Sequence, residues 1–489
     1  MPQPSNAPPN DLDVLIVGAG ISGIGAAYYL QRDLPQKTYA IIEARGDIGG
    51  TWDLFRYPGI RSDSDLHTFG YEFKPWTQEN PIASGDAILA YLRETVEEHG
   101  IAPHIRFHHH VKWASWSSET ARWTVEIERS DTSSTTTLSC RHLFLGTGYY
   151  RYDQGYRPRF EGEERFQGQL VHPQHWPEDL EYRDKKVIVI GSGATAVTLV
   201  PAMAETAAHV TMLQRTPTYI MPLPQKDPIA RLLRKALPSD RANRLIRRKN
   251  IRTQRWLIDF SQRFPKAARA IIRATNRKHL PKGYPVEEHF TPPYNPWEQR
   301  LCAVPDGDFF QAIREGKASV VTDTIETLTE QGIRLASGRE LEADLIITAT
   351  GLSLQVFGGI RVTVDGAPLH APDRLAFKGM MLDGVPNMVF AIGYTNASWT
   401  LKIGLLCEHF CRLLAHMDAH GHDVMVPMRP EGEFETRPLI DFGAGYVQRS
   451  LAELPRQGPA APWVMPMDYF HDEKMLREGP VEDPNLRFR

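Results

Sequence analysis

Three glycines, Gly18, Gly20 and Gly23, follow the apolar run DVLIV (13–17) and lead into GAAYYL. Between a strand and a helix, that spacing suits the pyrophosphate of a dinucleotide. Gly18 permits the tight turn, Gly20 lets backbone approach the phosphates, and Gly23 lets the helix pack close, with the helix N-terminus facing the anion. The next apolar run, YAIIEA, ends in Glu43. A carboxylate there accepts hydrogen bonds from a ribose 2′-OH and repels a 2′-phosphate. The pattern recurs at KVIVI (186–190), followed by Gly191, Gly193, Ala194, Thr195 and Ala196. Its second strand, HVTMLQR, ends at Gln214 and Arg215 and runs on into Thr216. A guanidinium in that position pairs with a 2′-phosphate. A third run, ADLIITATGL (343–352), brings the small residues Ala349, Thr350 and Gly351 to a strand end near bound nucleotide, and HLFLGTG (142–148) closes the first unit. One acidic and one basic unit in a single chain predict FAD reduced by NADPH.

These motifs require an α/β fold with two Rossmann-like dinucleotide-binding domains. Residues 1–150 and 376–489 are expected to form a discontinuous FAD-binding domain and C-terminal tail. Residues 151–375 are expected to form the NADP-binding domain, with a helical insert at about 222–296. The chain of 489 residues can bury cores of that number, and its 42% hydrophobic and 24% charged content is that of an ordinary globular protein. A net charge of −3 gives no global reason to expect nucleic acid or membrane as partner. Four cysteines are present without a CxxC pair, and Cys407 and Cys411, i and i+4 in an apolar run, read as buried thiols. Residues 44–60 contain no cysteine, which argues against a disulfide reductase. His108, His109 and His110 fall in a strand-like run whose alternation splays them, so no metal is expected. The proline-rich start lacks a signal peptide's basic region, and no apolar run reaches the roughly 18 residues of a membrane span. A soluble, cytoplasmic protein is expected.

Residues 226–282 are crowded with Arg and Lys and hold three acids, Asp227, Asp240 and Asp259. Basic and apolar residues alternate there at helical spacing. The plainer reading is a subdomain packed on the NADP domain with its cations solvated or near cofactor phosphate; weak peripheral contact with anionic membrane is the alternative. No groove-reading motif accompanies the charge, so nucleic acid is not expected.

The segment FQGQLVHPQHWP places Phe166, Gly168, His172, Trp176 and Pro177 in the pattern F-x-G-x-x-x-H-x-x-x-W-P. This resembles the signature of flavin-dependent Baeyer–Villiger monooxygenases. The sister flavin-containing monooxygenases, which act on nitrogen and sulfur, usually end it in Tyr or Phe. Gly49, Gly50, Trp52, Tyr57, Pro58, Gly59 and Asp63 meet a second family pattern. PWEQRLCAVPDGDFFQAI and the GYVQRSLAELPRQGP tail are closest to the branch of thioamide-prodrug-activating (ethionamide) monooxygenases. The resemblance implies that NADPH reduces FAD, that O2 adds at the flavin C4a carbon, and that the peroxide attacks a ketone to give an ester or lactone, with sulfoxidation as a side activity. It places the catalytic arginine at Arg300 and its partner acid at Asp63, with Asp65 a rival and a helix N-cap the plainer role for Asp63. It makes Phe166–Pro177 the hinge between the two domains. Many relatives carry Lys before that arginine to help hold the 2′-phosphate; here it is Gln299, which leaves more of the coenzyme preference to Arg215. Heteroatom oxygenation is the alternative reaction, and a non-catalytic flavoprotein or membrane-associated redox sensor the alternative of another class.

Overall fold

A computed structural model describes residues 11–299, 301–432 and 434–489. The first sheet grows from Asp11–Val17, whose apolar residues are almost all buried. It pairs in parallel with Tyr39–Ile42 on one side and Ser134–Leu145 on the other. The crossover helix Ile21–Asp33 packs against the long helix Trp399–His420 on one face of the sheet. Such strands are buried on both faces, which is why they read as unbroken apolar runs and not as alternation. Cys407 and Cys411 point into this core, as their spacing predicts. Beyond Ser134–Leu145 the sheet continues antiparallel through Arg122–Arg129 and His109–Ser117.

The second sheet is parallel throughout, in the order Ala318–Thr322, His209–Gln214, Lys186–Ile190, Leu345–Thr348, Gln169–Val171. Its crossover helix Ala194–Met203 runs unbroken through Pro201 and stops two residues later. The helical insert, Pro228–Ala236, Ser239–Arg263 and Pro265–His279, leaves from the strand Tyr219–Leu223 and returns at Leu301–Pro305, and these two strands pair in parallel.

Two features differ from the sequence reading. The chain re-enters the first sheet at Arg361–Val364, which pairs in parallel with Trp113–Trp116, ahead of the expected return at 376. That strand is too short for its hydrophobic pattern to declare which sheet it joins. The insert also does not rest on the NADP-side domain alone. Arg247 donates to the carbonyls of His67, Thr68 and Gly70 at 3.4, 3.1 and 2.8 Å, and Arg234 to those of Trp76 and Gln78 at 2.9 and 3.1 Å. Arg234 and Arg247, expected among cations solvated or near cofactor phosphate, therefore tie the insert to the first domain. Two connections join the domains, running antiparallel: Gln355 N–H donates to Tyr149 O, Arg151 N–H to Ser353 O, and Tyr156 N–H to Gly351 O.

Candidate active site

At the first glycine turn, Gly18 has φ +101°, and a Cβ there would stand 2.7 Å from the Gly146 carbonyl oxygen. A Cβ on Gly23 would overlap the Gly18 carbonyl oxygen. Both positions are closed to side chains by the protein itself. Gly20 differs: it N-caps the helix Ile21–Asp33, and its nearest neighbour across the turn, Gly50, leaves ordinary room at 3.7 Å. The protein thus leaves the helix end open at Gly20, where a ligand could approach. Glu43 is buried; its Oε2 accepts from Ala19 N–H at 2.8 Å and its Oε1 from Arg45 N–H at 2.9 Å. Burial pushes its carboxyl above the usual range, opposed by those two donors. Gly49 and Gly50, at φ +113° and +56°, turn the chain into Thr51–Leu54 and set Trp52 edge-on to Phe69 at 5.8 Å.

The second turn repeats the logic. Gly191 has φ +129°, and a Cβ there would overlap the Ala349 carbonyl oxygen, so the strand end carrying Ala349, Thr350 and Gly351 is fixed against the turn. Gly193 has nothing within 4 Å of where a Cβ would stand. It caps Ala194–Met203, and its bareness leaves open space before that helix N-terminus. Ser192, not singled out from the sequence, ties this turn to the next, donating to Thr216 O at 3.1 Å. The side chain of Gln214 is spent on packing, with Nε2 donating to His289 O and Thr322 Oγ1, both at 2.8 Å. Arg215 is exposed.

Both turns open on a single cleft of about 1920 Å³. An ordinary small-ligand site is about 300–1,000 Å³, so this volume leaves room for two dinucleotides beside a substrate. The cleft is lined by Gly18, Gly20, Glu43, Gly50 and Trp52 from the first unit. Gly191, Gly193, Ala194, Thr195, Arg215 and Thr216 line it from the second, joined by Ala349, Thr350 and Gly351. Gly23, in the first turn of its helix, is not part of the cleft lining and serves packing.

Asp63 also lines the cleft. The neighbouring Asp65 is the helix cap: its Oδ1 accepts from His67 N–H at 3.0 Å, and its Oδ2 from Asn250 Nδ2 at 2.5 Å. The capping role that the sequence offered to Asp63 therefore falls to Asp65, whose carboxyl burial pushes upward. Arg300 lies outside the described residues; Gln299 and Leu301, on either side of it, both line the cleft.

The segment Phe166–Pro177 lies away from the cleft lining, along the edge of the second sheet. Gln169–Val171 pairs in parallel with Leu345–Ile347, the strand that delivers Ala349–Gly351. Phe166 packs on the core beneath Ile188 and Ile190, and Trp176 packs on the core of Val187 and Val189. A Cβ on Gly168 would overlap Asp344 O. His172 accepts from Gln174 N–H at 3.2 Å, a capping bond, and burial holds its ring below the usual imidazole value. The buried Gln174, which no motif marked, donates to the carbonyls of Arg151 and Tyr152 at 2.8 and 3.1 Å. The segment is thus fastened both to the second nucleotide strand and to an interdomain connection. Residues 394–397 and Trp399 complete the cleft wall, and Trp399 begins a helix; Trp399 Nε1 donates to Ser22 Oγ at 2.9 Å.

Two nucleotide cradles on one cleft define the class: a two-domain, two-dinucleotide oxidoreductase fold. A family model described as "Pyridine nucleotide-disulphide oxidoreductase" matches residues 15–228, from the first glycine turn past the second. Cys140, Cys302, Cys407 and Cys411 are all buried, and none lies in residues 44–60 after the first glycine turn. A steroid monooxygenase bound to NADP superposes with a TM-score of 0.74 at 24% identity, over 98% of this chain and 99% of that one. OTEMO in complex with FAD and NADP does so with 0.75 at 20% identity, over 99% and 100%. The FAD-containing monooxygenase EthA of Mycobacterium tuberculosis is 55% identical over 98% of this chain and 97% of its own. The probable FAD-binding monooxygenase AlmA of Acinetobacter baylyi is 48% identical over 98% and 96%. The chain belongs to the family of FAD-containing monooxygenases.

Proposed function

We propose that this monooxygenase inserts one oxygen atom of O2 next to a ketone carbonyl, giving an ester or lactone at the expense of NADPH, with sulfoxidation as a side activity. The observation that carries the reading is that an acidic and a basic dinucleotide cradle open on one cleft with Asp63 and the residues flanking Arg300. FAD belongs to the first cradle, with Glu43 at its ribose, and NADP to the second, with Arg215 at its 2′-phosphate. The open spaces at Gly20 and Gly193 fit a pyrophosphate at each helix end.

FAD, when bound, carries the two electrons of NADPH to O2. Arg300 supplies a guanidinium that stays charged at any working pH, beside the negative charge that grows on the oxidant and then on the former carbonyl oxygen. Asp63, in the cleft lining, is the acid this reading assigns as partner to that arginine. The signature segment acts at one remove: Gln174 couples the interdomain connection to the strand end at Ala349–Gly351, so occupancy of the second cradle is felt at the hinge.

The test is the FAD-loaded protein with NADPH, O2 and a panel of linear, cyclic and aryl ketones, with products followed by mass. Arg300→Ala is expected to keep FAD and to be reduced by NADPH, yet to lose about 100- to 1000-fold in ester formation. Asp63→Ala is expected to damage the same step less, because the guanidinium keeps its charge. Ester formation by Arg300→Ala at the unmutated rate overturns the assignment of Arg300. Oxygenation of amines or sulfides with no ketone consumed moves the protein to the heteroatom class.

A further inference from the structure

The charge of the chain is unevenly spread. Residues 226–282 hold 18 Lys and Arg against three acids, a local net of +15 in a chain whose total is −3. Part of this charge is spent inside the protein: Arg234 and Arg247 on backbone carbonyls, Lys249 on Asp227, Arg255 on Asp259 and Asp468, Arg277 on Glu287. Arg241, Arg248, Arg252 and Arg263 are exposed, and none is ion-paired to an acid among the described residues. On the helix Ser239–Arg263 they share one face with Leu245 and Trp256. The series 241, 245, 248, 252, 256, 263 stays within about 80° of the helix circumference at 3.6 residues per turn.

The apolar members of that face are in water. Trp256 is 61% exposed and Leu245 46%. Elsewhere on the insert Phe264 is 50% exposed and Ile271 52%, with Ile229 and Leu232 on the helix Pro228–Ala236 at 53% and 66%. Seven of the ten large apolar side chains exposed across the described residues lie between 229 and 271. Scattered exposed leucines are ordinary; a concentration of this kind on one subdomain marks a surface that something covers. Trp256 and Ile271 also line the cleft, as do Leu257 and Phe260. The apolar cleft wall is thus continuous with the apolar outer face of the insert.

We infer that this face docks on an anionic lipid surface, and that lipophilic substrates pass from the bilayer into the cleft past Trp256 and Ile271. The second half rests on the proposed oxidation; the docking does not. Arginines interleaved with Trp, Leu, Phe and Ile match a headgroup layer above acyl chains, where charge and apolar area are satisfied together. A nucleic acid would take the charge and leave the aliphatic side chains in water. A second copy meeting through the same face would set Arg241, Arg248, Arg252 and Arg263 against the same four. Among the described residues no helix is long and apolar enough to cross a membrane, so the contact is peripheral.

The experiment is sedimentation of the FAD-loaded full chain with vesicles of phosphatidylglycerol and phosphatidylcholine in equal parts, and with phosphatidylcholine alone. Binding to the anionic vesicles, absent with phosphatidylcholine and released by high salt, is expected. The combined variant Arg241→Glu, Arg248→Glu, Arg252→Glu is expected to cut the bound fraction about tenfold or more, and Leu245→Ser to cut it less. Neither is expected to change flavin reduction by NADPH in solution. Wild-type protein left in the supernatant overturns the inference, as does a charge-reversed variant that binds equally well. Duplex DNA retained without vesicles at the same salt would make this a polyanion site, and a dimer lost in the charge-reversed variant would make it a self-interface; either result overturns the lipid assignment. Vesicle binding without ester from any ketone leaves docking in place and overturns the proposed reaction. Ester from a water-soluble ketone without vesicle binding does the reverse.

Discussion

On the proposed function, coenzyme choice rests on one side chain placed against another. Glu43 and Arg215 follow equivalent strands in the two domains, and both line the cleft. Glu43 is buried and held by two backbone N–H groups, so its position is fixed and its field disfavours a 2′-phosphate. Arg215 is exposed at the cleft rim, where it is free to close on one. Gln299, neutral and also in the cleft lining, adds no charge. Arg215→Ala is therefore expected to raise KM for NADPH about tenfold or more, the worth of a charge-assisted phosphate contact, and to leave KM for NADH nearly unchanged. Steady-state kinetics with both coenzymes checks this; equal losses with each would place the 2′-phosphate elsewhere.

The helix Ser239–Arg263 belongs by sequence to the second domain and by contact to both. Arg247 gathers the carbonyls of His67, Thr68 and Gly70, at the end of the short helix Leu66–Phe69. Asn250 holds the carboxylate that caps the start of that helix, and Gln254 donates to Asn396 O at 3.0 Å, in the loop before Trp399. One face of the insert helix thus fixes the segment that carries Asp63 and a loop of the cleft wall. Arg247→Ala leaves those carbonyls without their cation, at a cost of about 2 kcal/mol. The expected result is faster amide exchange across 239–263 and 63–70, with the two glycine turns unaffected. Unchanged exchange at 63–70 would mean that the insert does not hold this segment.

Across the whole molecule, acid sensitivity is built into the core of the first domain. Burial holds His142 down to about 4, its Nδ1 3.2 Å from Asp13 O. Burial, with Lys378 beside it, holds His409 down to about 3. Both imidazoles are neutral in the fold, whereas unfolded imidazole takes a proton near 6.5. Below that pH the unfolded chain binds more protons, so stability is full above about 6.5 and is lost as pH falls towards 4. His142 alone accounts for about 3 kcal/mol of that loss. Thermal melts from neutral to acid pH are expected to fall steeply across this window, and His142→Gln to fall less steeply while starting lower. A melting temperature flat between pH 6.5 and 4 would show that neither ring governs the transition.

The places of both glycine turns, and of Glu43 and Arg215 at strand ends, were legible in the sequence because each motif is local: a turn, a helix end and one side chain a strand away. The buried helix pair Cys407 and Cys411 was legible for the same reason. Arg361–Val364 was not, since a four-residue strand carries no mark of which sheet will accept it. Nor was the split between Asp63 and Asp65, because SDSD caps equally well in two registers until Asn250, 185 residues away, takes one carboxylate. Gln174 was invisible as a single polar residue in a polar segment, and its role exists only where the interdomain connection passes it. The basic insert had its charge written in the sequence, but which arginines would be spent on carbonyls and which left facing water depended on where the first domain lies. Local chemistry set the cradles; long-range packing decided that they share one cleft, and what stands at its mouth.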